Sequence, residues 1–158
     1  MKYYKINTYG CQMNVHESEK LAGMIEEFGY KKTDDDNLAD LIVFNTCCIR
    51  ENAERTVYGN VGMLKPIKKN KKHLIIAVGG CMTQQNGQAK KLKETFPFVD
   101  IIFGTHNLTS FKEYLQKRLE LNKKTVEVWD IDGTICEGVT PVRSSYPNAW
   151  VNIMYGCN

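Results

Sequence analysis

Three times in its first 81 residues the chain runs through a β-forming or apolar stretch and closes it with a cysteine. The stretches are Lys2 to Thr8 before Cys11, Leu41-Ile42-Val43-Phe44 before Cys47, and Leu74-Ile75-Ile76-Ala77-Val78 before Cys81. Successive cysteines stand about 35 residues apart, the length of one strand, one helix and the turns between them. That rhythm steers a chain towards parallel strands, because each parallel pair needs a crossover of a dozen or more residues. In such a sheet all three thiols leave at one edge.

The segments between the cysteines carry helical patterns. Leu21, Met24, Ile25 and Phe28 recur at helical spacing, which predicts a helix from Asn14 to Phe28. Asn14 with Glu17 is its expected capping pair, and Gly29 its stop. Glu51 to Leu64 reads as a second helix that Pro66 ends or kinks, followed by a basic connection from Lys65 to Lys72. A third helix is expected from about Gln85 to Phe96. Val99 to Phe103 is a strand that runs into Gly104-Thr105-His106-Asn107. Ser110 with Glu113 opens a fourth helix whose stripe is Phe111, Tyr114, Leu115 and Leu119, and Thr125 to Ile131 alternates as a last strand. The expected fold is α/β and flavodoxin-like: a parallel sheet of about five strands with helices on both faces, in the order 2-1-3-4-5. In that order Cys11 and Cys81 flank the ligand crevice, and Cys47 lies one strand over.

At 158 residues the chain has room for one domain and an appended piece. Residues 1–131 form the expected domain. Residues 132–148, rich in glycine, proline and serine, read as a linker. Ala149 to Met154 reads as a strand, and the chain stops at Tyr155-Gly156-Cys157-Asn158, so 149–158 reads as the threshold of a second domain. The net charge of +3 permits nucleic acid as a partner without arguing for it. No apolar run is long enough for a membrane span and the start lacks an apolar leader core, so the expectation is a cytoplasmic protein with no membrane partner.

A cysteine just ahead of a helix N-terminus meets free N–H groups and partial positive charge, which favours the thiolate. Thiolates bind metal, and four-iron clusters are usually held by four of them, so three would leave one iron open. Two other readings stand beside the cluster. The cysteines are also the kind of small hydrophobe found at buried strand ends. Zinc is the third reading, although the short C-x-x-C pairs of structural zinc sites are absent. Of the adjacent pair, Cys47 is the expected inward residue rather than Cys48, and Cys136 reads as a surface residue. Asn14 and Asn45 are candidates for shaping the cysteine loops, and Arg50 for balancing negative charge there or pairing with Glu51 or Glu54. His106 reads as a loop residue, and His16 and His73 as surface. Lys65 to Lys72 with Lys90, Lys91 and Lys93 read as solvated faces with phosphate contact as the alternative. No P-loop or full G-x-G-x-x-G is present.

Three motifs then carry a resemblance. Thr8-Tyr9-Gly10-Cys11-Gln12-Met13-Asn14 with Ser18-Glu19, Asn45-Thr46-Cys47-Cys48-Ile49-Arg50-Glu51-Asn52-Ala53-Glu54, and Gly80-Cys81-Met82-Thr83-Gln84-Gln85 closely resemble the amino-terminal domain of the radical-SAM methylthiotransferase family. The motif around Cys11 is similar to the tRNA-modifying MiaB type. The tail from Ala149 to Asn158 resembles the start of that family's radical-SAM barrel. The resemblance implies an auxiliary 4Fe-4S cluster on Cys11, Cys47 and Cys81, with Cys48 not a ligand. It implies that Cys157 is the first ligand of a second 4Fe-4S cluster whose partners lie beyond this chain. It further implies an enzyme that uses S-adenosyl-L-methionine to add a methylthio group to isopentenyladenosine beside the tRNA anticodon. The radical-SAM and RNA-binding domains are missing, so no catalytic residue is expected here and the chain alone is expected to be inactive. A non-catalytic flavodoxin-like module with structural or zinc-binding thiols is the alternative.

Overall fold

The computed structural model describes residues 1–48, 51–129, 138–143, 146–151 and 153. In chain order the elements are β1 (Lys2–Thr8), α1 (Gln12–Glu26), β2 (Tyr30–Lys32), β3 (Leu41–Thr46), α2 (Glu51–Asn70), β4 (Ile75–Gly80), α3 (Cys81–Gln84), α4 (Gln88–Thr95), β5 (Ile101–Phe103), a 3₁₀ turn (Thr105–Ser110), α5 (Phe111–Leu121) and β6 (Thr125–Glu127). The six strands form one all-parallel sheet in the order β2-β1-β3-β4-β5-β6.

Every residue of β3 and β4 is buried, which explains why both read as unbroken apolar runs rather than alternating ones. Their side chains divide by parity between two cores. Leu41, Val43, Ile75, Ala77, Ile101 and Phe103 pack with Leu21, Met24 and Ile25 of α1 and Phe111, Tyr114 and Leu115 of α5. Ile42, Phe44, Ile76, Val78 and Ile102 pack with Val57, Val61 and Leu64 of α2 and Leu92 of α4. The expected α/β fold with helices on both faces is therefore the observed one.

Three details differ from the sequence reading. The first is β2, a three-residue edge strand in which Tyr30 is buried while Lys31 and Lys32 face solvent. Charged edge strands resist further pairing, and they carry almost no apolar signal. Tyr30–Lys32 thus occupies the second-strand position outside β1, and Leu41–Thr46 moves inside as β3. The crevice at the switch point is flanked by Cys11 and Cys47, and it is Cys81 that lies one strand over. The second is α2, which continues through Pro66 to Asn70. Beyond the proline, Lys68 donates to the Leu74 carbonyl and to Asp100 at 2.7 Å, so tertiary contacts hold the last turn. Lys71 donates to the carbonyls of Leu38 and Ala39 at 2.9 and 2.8 Å. These lysines of the expected basic connection tie down chain that leads into β3, β4 and β5, at the edge opposite the cysteines. The third is the last strand, which ends at Glu127.

Residues 138–143, within the expected linker, lie against α1. Val139 and Val142 pack on the α1/α5 core. The Val142 N–H donates to the Glu19 carbonyl at 3.0 Å, and Arg143 pairs with the Glu19 carboxylate at 3.1 Å. A Cβ on Gly23 would collide with the Thr140 carbonyl, so the helix is bare where this strap crosses it. Residues 149–151 and 153 carry no strand, and Val151 and Ile153 are exposed. Arg50, Cys136 and Cys157 lie outside the described residues, as does most of the expected barrel start.

The strap yields a direct test. Gly23→Ala forces backbone against backbone and is expected to cost about 1–3 kcal/mol, read by urea denaturation. Faster hydrogen exchange at Val142 in the same variant checks that the loss arises at the strap.

Candidate thiol site

Strand register brings the cysteines to one edge. Thr8 pairs with Asn45, Asn45 with Gly79, and Thr46 with Gly80. Cys47 and Cys81 each directly follow a residue of the Thr46–Gly80 pair, on strands about 4.8 Å apart. Cys11 follows β1 by three residues and forms the N-cap of α1. Two glycines let these loops close up. A Cβ on Gly10 (φ +129°) would collide with the Cys47 Cβ and stand 3.0 Å from its Sγ. A Cβ on Gly80 (φ +104°) would collide with the Thr46 backbone. At both positions the positive φ and the contact each demand glycine.

A buried polar network fixes the edge from below. Asn14 Oδ1 accepts from the Cys11 N–H at 3.3 Å and from its Sγ at 3.4 Å. Asn14 Nδ2 donates to Asn45 Oδ1 at 3.3 Å and to the Thr46 carbonyl at 3.2 Å. Asn45 Nδ2 donates back to the Asn14 carbonyl at 2.8 Å and to Ser18 Oγ at 3.0 Å. Thr8 and Ser18 hydroxyls share a 2.7 Å bond, and Thr46 Oγ1 donates to the Gly79 carbonyl at 2.6 Å. The network joins β1, α1, β3 and β4. The helix accordingly starts two residues earlier than the expected Asn14–Glu17 cap, with Cys11 and Asn14 as the capping pair.

Cys47 is buried, Cys81 is half-buried, and Cys11 and Cys48 are exposed. Burial pushes the Cys81 thiol up to about 12, reinforced by the Glu17 carboxylate and by Cys48 and Cys47, against a weak contact from Thr105 Oγ1 at 3.8 Å. Cys81 also opens a helix of only one turn. The expectation of an easily formed thiolate is not met at this position: among the described residues no cation offsets burial, which outweighs the short helix.

Glu17 is the site residue that sequence reading missed. It is 5% exposed, and its Oε2 has no hydrogen-bond partner among the described residues. Burial raises its carboxyl to about 7, with Asn45 and Lys20 pulling the other way. The signal lay in the helix pattern: Asn14, Glu17 and Ser18 extend the Leu21, Met24, Ile25 stripe backwards, so they are polar residues on a core-facing face. His16, expected at the surface, is also buried, 3.9 Å from Glu19. His106 lies in the 3₁₀ turn beside Thr105. His73 is an exposed partner of Asp40. Lys91 pairs with Glu54 at 3.2 Å and lies over the Tyr58 ring.

Among the described residues no group of three or more His, Cys, Asp or Glu stands close enough to hold a single metal ion. A mononuclear thiolate site gathers its sulfurs about 2.3 Å from one centre. The three cysteines are instead distributed along adjacent strand ends around glycine-opened loops. Their donor chemistry, three thiols at one sheet edge, is of the kind that soft metals take.

Asn45→Ala removes the side-chain bonds to the Asn14 carbonyl and Ser18 Oγ and the acceptor of Asn14 Nδ2, and is expected to cost about 2 kcal/mol in denaturant unfolding. In the metal-free chain, Glu17 keeps its proton up to about pH 7 when folded and releases it near 4.5 when unfolded. The folded state binds more protons at Glu17 between these limits, so the contribution of Glu17 to stability is full below the window and is lost as pH rises through it. Denaturation across this range is expected to show a loss on the order of 3 kcal/mol that Glu17→Gln abolishes.

Comparison with known proteins places this chain in a family. The chain is 54% identical over 99% of its length to the tRNA-2-methylthio-N(6)-dimethylallyladenosine synthase of Acetivibrio thermocellus. It is 55% identical over 97% of its length to the protein of that name from Clostridium tetani, and 52% identical over 99% to that of Caldicellulosiruptor saccharolyticus. The chain spans about a third of the length of these relatives. The MiaB-type resemblance read from the cysteine motifs agrees with these names. Residues 3–104, which carry all three cysteine motifs, match the family described as Uncharacterized protein family UPF0004, and the chain belongs to that family.

Proposed function

We propose that this chain is the cluster-carrying amino-terminal part of a tRNA methylthiotransferase that adds a methylthio group to the adenine ring of isopentenyladenosine beside the anticodon. The observation that carries the reading is the convergence of Cys11, Cys47 and Cys81 on one edge of the sheet, set by the β1-β3-β4 register. The names of the relatives support the substrate class. Cys11, Cys47 and Cys81 would hold a 4Fe-4S cluster. When bound, that group supplies an iron without a thiolate, a position at which transferable sulfur is held. The chain's own part is positional. Asn14 and Asn45 orient the Cys11 and Cys47 loops, and Gly10 and Gly80 let those loops approach.

The relatives are about three times as long, and the rest of such an activity would lie in the part of them that this chain does not match. Cys157 would begin the second cluster site, at which S-adenosyl-L-methionine is used, and residues 132–148 join the two parts. No helix among the described residues is long and apolar enough to cross a membrane. Alone, the chain is expected to give no methylthiolated product from tRNA, reductant and S-adenosyl-L-methionine.

Anaerobic reconstitution with iron and sulfide tests the reading. The expected outcome is a brown protein with about four iron and four sulfide per chain. Cys11→Ala, Cys47→Ala and Cys81→Ala each abolish uptake, while Cys48→Ala and Cys136→Ala retain it. A colourless protein that takes up one zinc instead overturns the cluster reading in favour of a structural thiol module.

A further inference from the structure

Glu17 is not explained by the three thiols. An acid in a helix of this fold ordinarily faces water, and burying an unpaired carboxyl carries a large desolvation cost. Here the side chain is 5% exposed, and Oε2 has no partner among the described residues. Asn45 hydrogen-bonds the carboxyl, and the remaining polar groups around it satisfy one another. Asn14 and Asn45 bond reciprocally, and Ser18 takes the second Asn45 proton and shares the Thr8 hydroxyl. The carboxyl therefore stands beside a closed network with an oxygen left over. Asn45 stands two residues before Cys47, so the carboxyl it bonds lies at the thiol edge. A buried polar atom left unsatisfied in a site calls for a ligand or a function.

We propose that Glu17 supplies a displaceable oxygen ligand to the group held by Cys11, Cys47 and Cys81, at the metal position that has no thiolate. The inference rests on the cluster reading above and adds a fourth protein contact to it. Three cysteines arrive from the ends of β1, β3 and β4, and Glu17 arrives from α1, which is anchored to the same edge through Asn14. A carboxylate oxygen is a harder and weaker donor to iron than a thiolate. It would hold the position when no sulfur is bound there and yield it to incoming thiolate or sulfide. No oxidation or reduction is involved; one oxygen–iron bond breaks as one sulfur–iron bond forms.

The test uses this 158-residue chain carrying Cys157→Ala, reconstituted anaerobically, with 2-mercaptoethanol as the added thiol. Iron and sulfide content, Mössbauer spectra and thiol affinity are measured for the parent, Glu17→Gln, Glu17→Ala and Glu17→Asp. The expected result is parental iron content in Glu17→Gln, a changed environment confined to about one iron in four, and thiol binding about tenfold tighter because the competing oxygen is gone. Glu17→Asp, which keeps the donor, is expected to lie between parent and Glu17→Gln. A Glu17→Gln protein with parental iron, spectrum and thiol affinity overturns the proposal. Loss of iron in Glu17→Ala with retention in Glu17→Asp supports it, whereas loss in all three variants assigns Glu17 a purely structural role and overturns it. A parent that takes up no iron overturns the cluster reading itself, and the inference falls with it.

Discussion

The pairing of β1, β3 and β4 in one register is the constraint on which the molecule depends. Once Thr8, Asn45 and Gly79 share a row, the residues that follow each strand have little freedom. Cys47 and Cys81 leave on adjacent strands one step beyond Thr46 and Gly80. Parallel strands begin and end together, so the same arrangement separates two chemistries. The carboxyl edge gathers the thiols, while the amino edge gathers the ion pairs of Asp40 and Asp100 with Lys71, Lys68 and Arg118.

At the thiol edge β3 and β4 end in polar residues and glycine. Asn14 and Asn45 take over where the apolar core stops. Both are fully buried, and each satisfies the other as well as backbone of the neighbouring element. Such a network is costly if partly satisfied and specific if complete. Glu17 is its incomplete corner. Burial holds the proton on its carboxyl to about 7 against the pull of Asn45 and Lys20, and its Oε2 has no partner among the described residues.

The strap at 138–143 adds a mechanical link. It crosses α1 at Gly23 and is clasped at Glu19, and the same helix is capped by Cys11. Chain leading towards residue 158 is therefore anchored to the helix that carries the first thiol.

Much of this was legible beforehand for a simple reason. Strands covered on both faces must be apolar, so Leu41–Phe44 and Leu74–Val78 announce themselves, and the cysteine that ends each is visible with them. The sequence by itself determined the α/β class, the crossover rhythm, the shared edge of Cys11, Cys47 and Cys81, and the family resemblance of their motifs. Tertiary structure alone decided the rest. Tyr30–Lys32 is a strand only because β1 offers it an edge, and that short, charged pairing is what moves Cys47 rather than Cys81 to the crevice. α2 passes Pro66 because Lys68 finds Asp100 across the fold. Glycine- and proline-rich chain at 138–143 looks like a linker until Gly23 gives it a seat. The burial of Glu17 and His16 follows from what packs over α1, and contact between segments distant in the chain leaves no periodic mark within either of them.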